Sequence, residues 1–233
     1  MRKSDPQLVR QQFDGGVHDL RAFLSRVETS LAGSHHEKAD LSQLASTTFL
    51  ALYVQFEKFQ SDLFLAYLNR DFTAYQNSKF SAIRSTVDAK YGHWFAGRIT
   101  LAPIKHVRAD DLEVVVDPTG WNLTFKNTDQ MKERAAEWLA PQYAGRIRGL
   151  TNHDGRLIDT AKSIRDFIAH GSASSKERMN ERLATVSQGP HNAGLDRGAQ
   201  NIHNLGAYLK AVVGRRRRIV LYAERLQDIA ARM

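Results

Sequence analysis

The feature that most constrains the fold is a long apolar segment over residues 41–68. Apolar side chains recur in it at intervals of three and four residues, which is the period of an α-helix. Phe49, Tyr53 and Phe64 widen the apolar surface beyond a single stripe. A helix that is apolar on more than one face is usually central in a bundle or lies at an oligomer interface. The segment therefore predicts a helical core.

Similar patterns extend this prediction to most of the chain. Further helices are predicted over residues 6–31, 129–139, 156 to about 184, and 196–232, and residues 171–175 are expected to stop or bend the third of these. The middle, residues 70–127, is less regular, and 112–116 and 121–125 have the pattern of two short strands joined by a turn. An extended loop is the alternative there. We expect an all-α helical bundle, a single domain over residues 1–233, with a short β-hairpin or loop insertion at about 70–127.

The composition excludes several classes of site. The chain has 233 residues and no cysteine, so it has no disulfide framework, no cysteine-ligated zinc and no thiol nucleophile. No phosphate-binding loop, dinucleotide fingerprint or metalloprotease helix motif occurs. We expect neither a cofactor nor a metal. No signal peptide and no membrane-spanning run is present, so the expected location is the cytoplasm, without a membrane partner.

The positive charge is concentrated in the last third of the chain. Residues 1–155 carry 19 Lys and Arg against 18 Asp and Glu, whereas residues 156–233 carry 14 against 7. A one-sided excess of this kind is typical of a nucleic-acid footprint. Basic side chains that decorate solvated helix faces are the alternative.

One short stretch in this basic third combines groups that could do chemistry: Arg165, Asp166 and His170. Asp166 and His170 are four residues apart and share a helix face, so the carboxylate can orient the imidazole. A histidine can take the proton of a ribose 2′-hydroxyl, and an arginine can neutralise charge on the phosphate. These groups suit RNA cleavage without a metal. A surface Asp–His pair beside an unrelated arginine is the alternative.

This stretch, Arg-Asp-Phe-Ile-Ala-His-Gly over residues 165–171, resembles the motif of the HEPN superfamily. The segment from Leu52 to Glu57 is similar to the early core helix of that family, where an aromatic–Glu pair is frequent. The match is closest to the RiboL-PSP-HEPN-like branch of stand-alone proteins. The chain carries Asp166 where the family commonly has Asn.

The resemblance implies an α-helical homodimer in which the two motifs meet across a two-fold cleft. It implies a metal-independent endoribonuclease that cleaves single-stranded or loop RNA by 2′-hydroxyl attack, as a toxin or defence effector. His170 would be the acid/base, Arg165 the phosphate ligand and Asp166 a supporting residue. An antitoxin or a defence-system protein would be a partner. The alternative is a non-catalytic module that binds RNA or a partner protein.

Further residues are candidates for binding RNA. A run of four arginines in the predicted last helix is expected either to line an RNA channel or to form a solvated face with Glu224 or Glu181 as partner. Three basic residues after the motif extend the same patch. Four aromatic residues could stack bases, although core packing is the expected use of each. The basic candidates are Lys176, Arg178, Arg182, Arg215, Arg216, Arg217 and Arg218, and the aromatic ones are Tyr91, Trp94, Trp121 and Tyr143.

Overall fold

The computed structural model describes residues 4–104, 106–117, 123–187 and 192–233 of the chain. In these ranges the protein is all-α, as the sequence predicts, with eleven helices and one two-stranded antiparallel hairpin. The helices are α1 (Pro6–Leu31), α2 (Glu37–Arg70), α3 (Thr73–Tyr91), α4 (His93–Ala96), α5 (Ala109–Val116), α6 (Thr128–Trp138), α7 (Pro141–Arg148), α8 (Asn152–His170), α9 (Ala173–Thr185), α10 (Leu205–Lys210) and α11 (Arg218–Arg232). None of the helices in the described ranges combines the length and the apolar character that a bilayer crossing requires.

The chain divides into two compact units. One contains Met1–Val9 and Gln60–Gly149, and the other contains Arg10–Phe59 and Leu150–Met233. The middle region for which an insertion is predicted lies inside the first of these units. The whole of the Arg165 motif lies in the second.

The second unit has an aromatic core built on α2. Phe49 and Phe56 are completely buried. Phe13 of α1 lies 5.7 Å from the Phe56 ring, and Tyr222 of α11 meets Phe49 edge to face at 5.1 Å. Burial of a large apolar side chain contributes about 1.5–3 kcal/mol, so these contacts stabilise the second unit and use the part of the apolar surface of α2 that lies in it.

The first unit has its own aromatic contacts. Tyr67 stacks on Tyr143 with ring centroids 4.4 Å apart, and Phe64 lies 4.7 Å from Phe125. The predicted strand over residues 112–116 is wrong, because these residues belong to α5. The acidic residues Asp110 and Asp111 in the first turn favour a helix there, and β-branched residues form a strand only where a neighbouring strand packs against them. The predicted turn and the start of the second strand lie outside the described residues.

The hairpin of the described ranges lies instead near the end of the chain. The strands β1 (Val212–Val213) and β2 (Arg216–Arg217) pair antiparallel, with Val212 opposite Arg217. The predicted single helix over 196–232 is therefore wrong: α10 ends at Lys210 and α11 begins at Arg218. Gly214 has a φ of +63°, and glycine at the first central position of a two-residue turn favours a hairpin.

Candidate active site

The motif occupies the last turns of α8, a helix that is well defined at both ends. At its start, Thr151 Oγ1 accepts a hydrogen bond from the Asp154 amide, and the Asp154 carboxylate accepts one from the Thr151 amide. This is a capping box. At its end, Gly171 has a φ of +60°, the left-handed conformation that commonly ends a helix. His170 is therefore the last helical residue, and its side chain is exposed.

Two carboxylates hold the guanidinium of Arg165. Its Nη1 donates to Asp166 Oδ1 at 2.8 Å, and its Nη2 donates to Glu57 Oε2 at 2.8 Å. The other carboxylate oxygen of Glu57 lies 3.4 Å from Lys162 Nζ. The four side chains form a network of two positive and two negative charges that joins α2 to α8.

The network is partly shielded from solvent. The Arg165 side chain is 27% exposed and the Glu57 side chain 15%. Burial lowers the pKa of Arg165, but the charges of Glu57 and Asp166 outweigh burial, and the net pKa of Arg165 lies above its ordinary value. The guanidinium is therefore a permanent cation with a restricted orientation.

A buried tyrosine lies close to the same charges. Tyr53 precedes Glu57 by one turn of α2 and is 2% exposed. Burial raises the pKa of Tyr53 well above its usual range, and the negative charges of Glu57, Asp166 and Asp159 raise it further. Its hydroxyl stays protonated near neutral pH.

The structure gives Asp166 a different partner from the one that the spacing suggests. The sequence hypothesis was that the Asp166 carboxylate orients the ring of His170. Within the described part of the chain, Asp166 accepts its side-chain hydrogen bond from Arg165, and no hydrogen bond joins it to His170. Asp166 therefore orients the cation of the motif rather than its imidazole.

Glu57 is the site residue that sequence reasoning did not assign. In the sequence, Glu57 belongs only to the aromatic–Glu pair of the core helix. The sequence feature that could have identified Glu57 is its charge within the apolar surface of α2, between Phe56 and Phe59. A buried carboxylate at such a position needs a cation, but periodicity does not say that the cation is Arg165.

The three basic residues that follow the motif lie near two different parts of the structure. Arg182 lies 3.9 Å from Asp159 of α8, and Arg178 lies one turn earlier on the same face of α9. Both are exposed. Lys176 Nζ instead lies 3.4 Å from His203 Nδ1. Arg178 and Arg182 thus share one face of α9, and Lys176 approaches the segment before α10.

The four consecutive arginines lie in the hairpin and the first residue of α11, not within one helix. Arg216 pairs with Glu224, which was one of the two predicted partners, and Arg217 pairs with Glu28 at 3.1 Å. Arg218 donates to the Gly194 carbonyl at 2.8 Å and stacks on Tyr208. Arg215 is exposed and has no side-chain partner among the described residues.

A groove of about 500 Å³ lies beside this hairpin. Its described lining includes His18, Arg21 and Glu28 of α1 together with residues 215–217. Neither Arg165 nor His170 lines it. The Arg165 motif and the arginine run, which the sequence assigned to one RNA-binding patch, are therefore separate features of the second unit.

No group of three or more His, Asp and Glu side chains in the described ranges is arranged to hold a metal ion. Comparison of the chain with protein-family models, with curated proteins and with solved structures found no match.

Proposed function

We propose that this protein is a HEPN-type, metal-independent endoribonuclease that acts as a homodimer on single-stranded or loop RNA. The observation that carries the proposal is an exposed imidazole, His170, five residues after a guanidinium, Arg165, that two carboxylates hold in place. A fixed guanidinium contributes to catalysis because it needs no reorganisation when charge develops on the phosphate.

The proposed reaction is a transesterification. His170 takes the proton of the ribose 2′-hydroxyl, and the 2′-oxygen then attacks phosphorus. The bond from phosphorus to the 5′-oxygen breaks, and that oxygen leaves with a proton. The products are a 2′,3′-cyclic phosphate and a 5′-hydroxyl.

A dimer would supply what one chain lacks. Side chains five residues apart on a helix differ by about 140° in direction. Arg165 and His170 of one protomer therefore do not point toward the same phosphate. In a dimer whose motifs meet, His170 of one protomer would accept the proton and His170 of the other would donate one. The resemblance also implies that the enzyme is a toxin or defence effector with an antitoxin or a defence protein as partner.

The test is RNA cleavage by the purified protein in excess EDTA, with the product ends identified by mass spectrometry. We expect His170→Ala and Arg165→Ala to lose activity by about a hundredfold or more. His36→Ala and Arg26→Ala change exposed residues of the same types and should retain activity. Wild-type cleavage no faster than that of His170→Ala would refute the proposal.

The second candidate is a non-catalytic module that binds RNA or a protein. It is favoured by the charge balance of the network, because Glu57 and Asp166 already neutralise the cations that a phosphate would need. This candidate predicts salt-sensitive RNA binding that survives His170→Ala, with no cleavage products from wild type.

A further inference from the structure

The first unit carries a cluster of exposed aromatic side chains at the end of α3 and in α4. Tyr91, Trp94 and Phe95 are 58%, 60% and 55% exposed. Core packing was the expected use of Tyr91 and Trp94, and the structure shows that this expectation is wrong. Large apolar side chains grouped in this way on a surface mark an interaction site.

The three rings form one contiguous cluster. Trp94 and Phe95 meet edge to face with centroids 4.9 Å apart, and Tyr91 lies 6.5 Å from Phe95 at an angle of 67°. Aromatic rings favour such edge-to-face contacts. The three rings therefore present one continuous aromatic surface to a ligand.

Cations lie over two of these rings. The guanidinium carbon of Arg98 is 3.7 Å from the Trp94 ring centroid, and Arg98 Nη1 donates to the Trp94 carbonyl at 3.2 Å. Lys90 Nζ is 5.3 Å from the Tyr91 ring. Each cation is thereby held beside an exposed aromatic surface.

The segment that contains the cluster, residues 79–108, is basic, although residues 1–155 taken together are nearly neutral. Residues 79–108 contain six Lys and Arg against one acidic residue, Asp88. Asp88 lies 3.5 Å from His93 Nδ1. Acidic residues outside the segment offset part of this excess, because Lys79 pairs with Glu137 and Arg108 with Asp110.

We propose that Tyr91, Trp94 and Phe95, with Lys90 and Arg98, form a stacking surface for single-stranded RNA. Unpaired bases stack on aromatic rings, and the adjacent cations attract the backbone phosphates. A duplex offers its phosphates but no free base faces, because its bases are already stacked on one another. The choice of RNA as the ligand rests on the proposed function, whereas the binding itself does not require His170.

The test is fluorescence anisotropy of a labelled twelve-residue oligouridylate, measured in a His170→Ala background so that the probe stays intact. We expect Trp94→Ala to weaken binding roughly tenfold, because one stacking contact is lost. Trp94→Phe keeps an aromatic ring and should retain most of the affinity. Phe23→Ala removes a 46% exposed ring from α1 and should have no effect.

An abasic oligonucleotide of the same length separates stacking from charge. We expect it to bind weakly, and equally to the Trp94→Ala variant and to its parent. Equal oligouridylate affinity for these two proteins would overturn the proposal. So would a Trp94→Ala variant that changes the oligomeric state in light scattering without changing RNA affinity, since the patch would then be a protein interface.

Failure of this proposal and failure of the proposed function give different results. RNA binding that depends on Trp94 in a protein that never cleaves would reject the nuclease and keep the surface. Cleavage that depends on His170, with RNA affinity unchanged by Trp94→Ala, would reject the surface alone.

Discussion

Arg165 Nη2 and Glu57 Oε2 lie 2.8 Å apart although 108 residues separate the two side chains in the sequence. The contact joins the last turns of α8 to the part of α2 that lies in the second unit. Because Glu57 also lies beside Lys162, its loss removes a carboxylate partner from two partly buried cations.

Removal of the Glu57 charge tests this relationship. We expect Glu57→Gln to lower the free energy of unfolding by about 1–3 kcal/mol, the range for a hydrogen bond to a charged group. Urea denaturation measures the change, and Glu133→Gln, at an exposed site on α6, is the control. In a double-mutant cycle with Arg165→Gln, additive single effects would contradict the coupling.

The four consecutive arginines differ in their contacts: Arg217 pairs with a carboxylate of the protein, whereas Arg215 is exposed to solvent. Arg217→Gln should lower stability by about 1 kcal/mol, because Glu28 then lacks a charged partner. Burial raises the pKa of Glu28 and Arg217 opposes that rise, so the substitution should raise the pKa of Glu28 further.

Arg215→Gln should leave the melting temperature unchanged, because the Arg215 side chain has no partner among the described residues. If the run contacts RNA, this variant reduces the salt dependence of log K by about one unit. RNA titrations at several salt concentrations measure the slope. If Arg215→Gln lowered the melting temperature as much as Arg217→Gln does, the claim that Arg215 has no structural role would be contradicted.

The ion pair between Asp154 and Arg232 should make stability depend on acid pH. Burial raises the pKa of Asp154, but hydrogen bonds from Arg232 and Thr151 outweigh it and the net pKa is lowered. A lowered pKa means that the stabilisation is present above about pH 4, the ordinary pKa of Asp, and is lost as the pH falls through the native value.

We therefore expect Asp154→Asn to cost about 1–3 kcal/mol at pH 7 and much less near pH 2. Urea unfolding at both pH values measures the difference. Asp19→Asn serves as the control because Asp19 is exposed on α1. A cost for Asp154→Asn that is the same at both pH values would show that its charge does not matter.

Close packing of α10 on α2 should make Gly206 intolerant of a side chain. A Cβ at this position would lie 2.2 Å from the Ser42 carbonyl oxygen, so Gly206→Ala should cost about 1–3 kcal/mol through overpacking. Gly145 lies within α7 with no atom near its Cβ position, and Gly145→Ala should stabilise by about 0.5–1 kcal/mol. Thermal melts compare the two variants, and equal melting temperatures would contradict the close approach.

Local sequence patterns were sufficient for the helices whose signals are strong. The prediction of α1 agrees with the structure at both ends, because a proline begins it and the apolar stripe ends at Leu31. The same patterns failed near the C-terminus, where apolar spacing over 205–213 fits a helix although Gly214 turns the chain into a hairpin. They failed at α5 because three consecutive valines favour a strand only beside another strand.

The sequence by itself determined the helical class and the presence of Arg165, Asp166 and His170 in one stretch, and it indicated a stop or bend at Gly171. These properties depend on residues within one or two helical turns of each other. The tertiary structure alone decided that Glu57 and Asp166 share the Arg165 guanidinium, and that Tyr91 and Trp94 lie at the surface. Both depend on which helices pack together, and side-chain spacing along one helix indicates that a face is buried without identifying the helix that covers it.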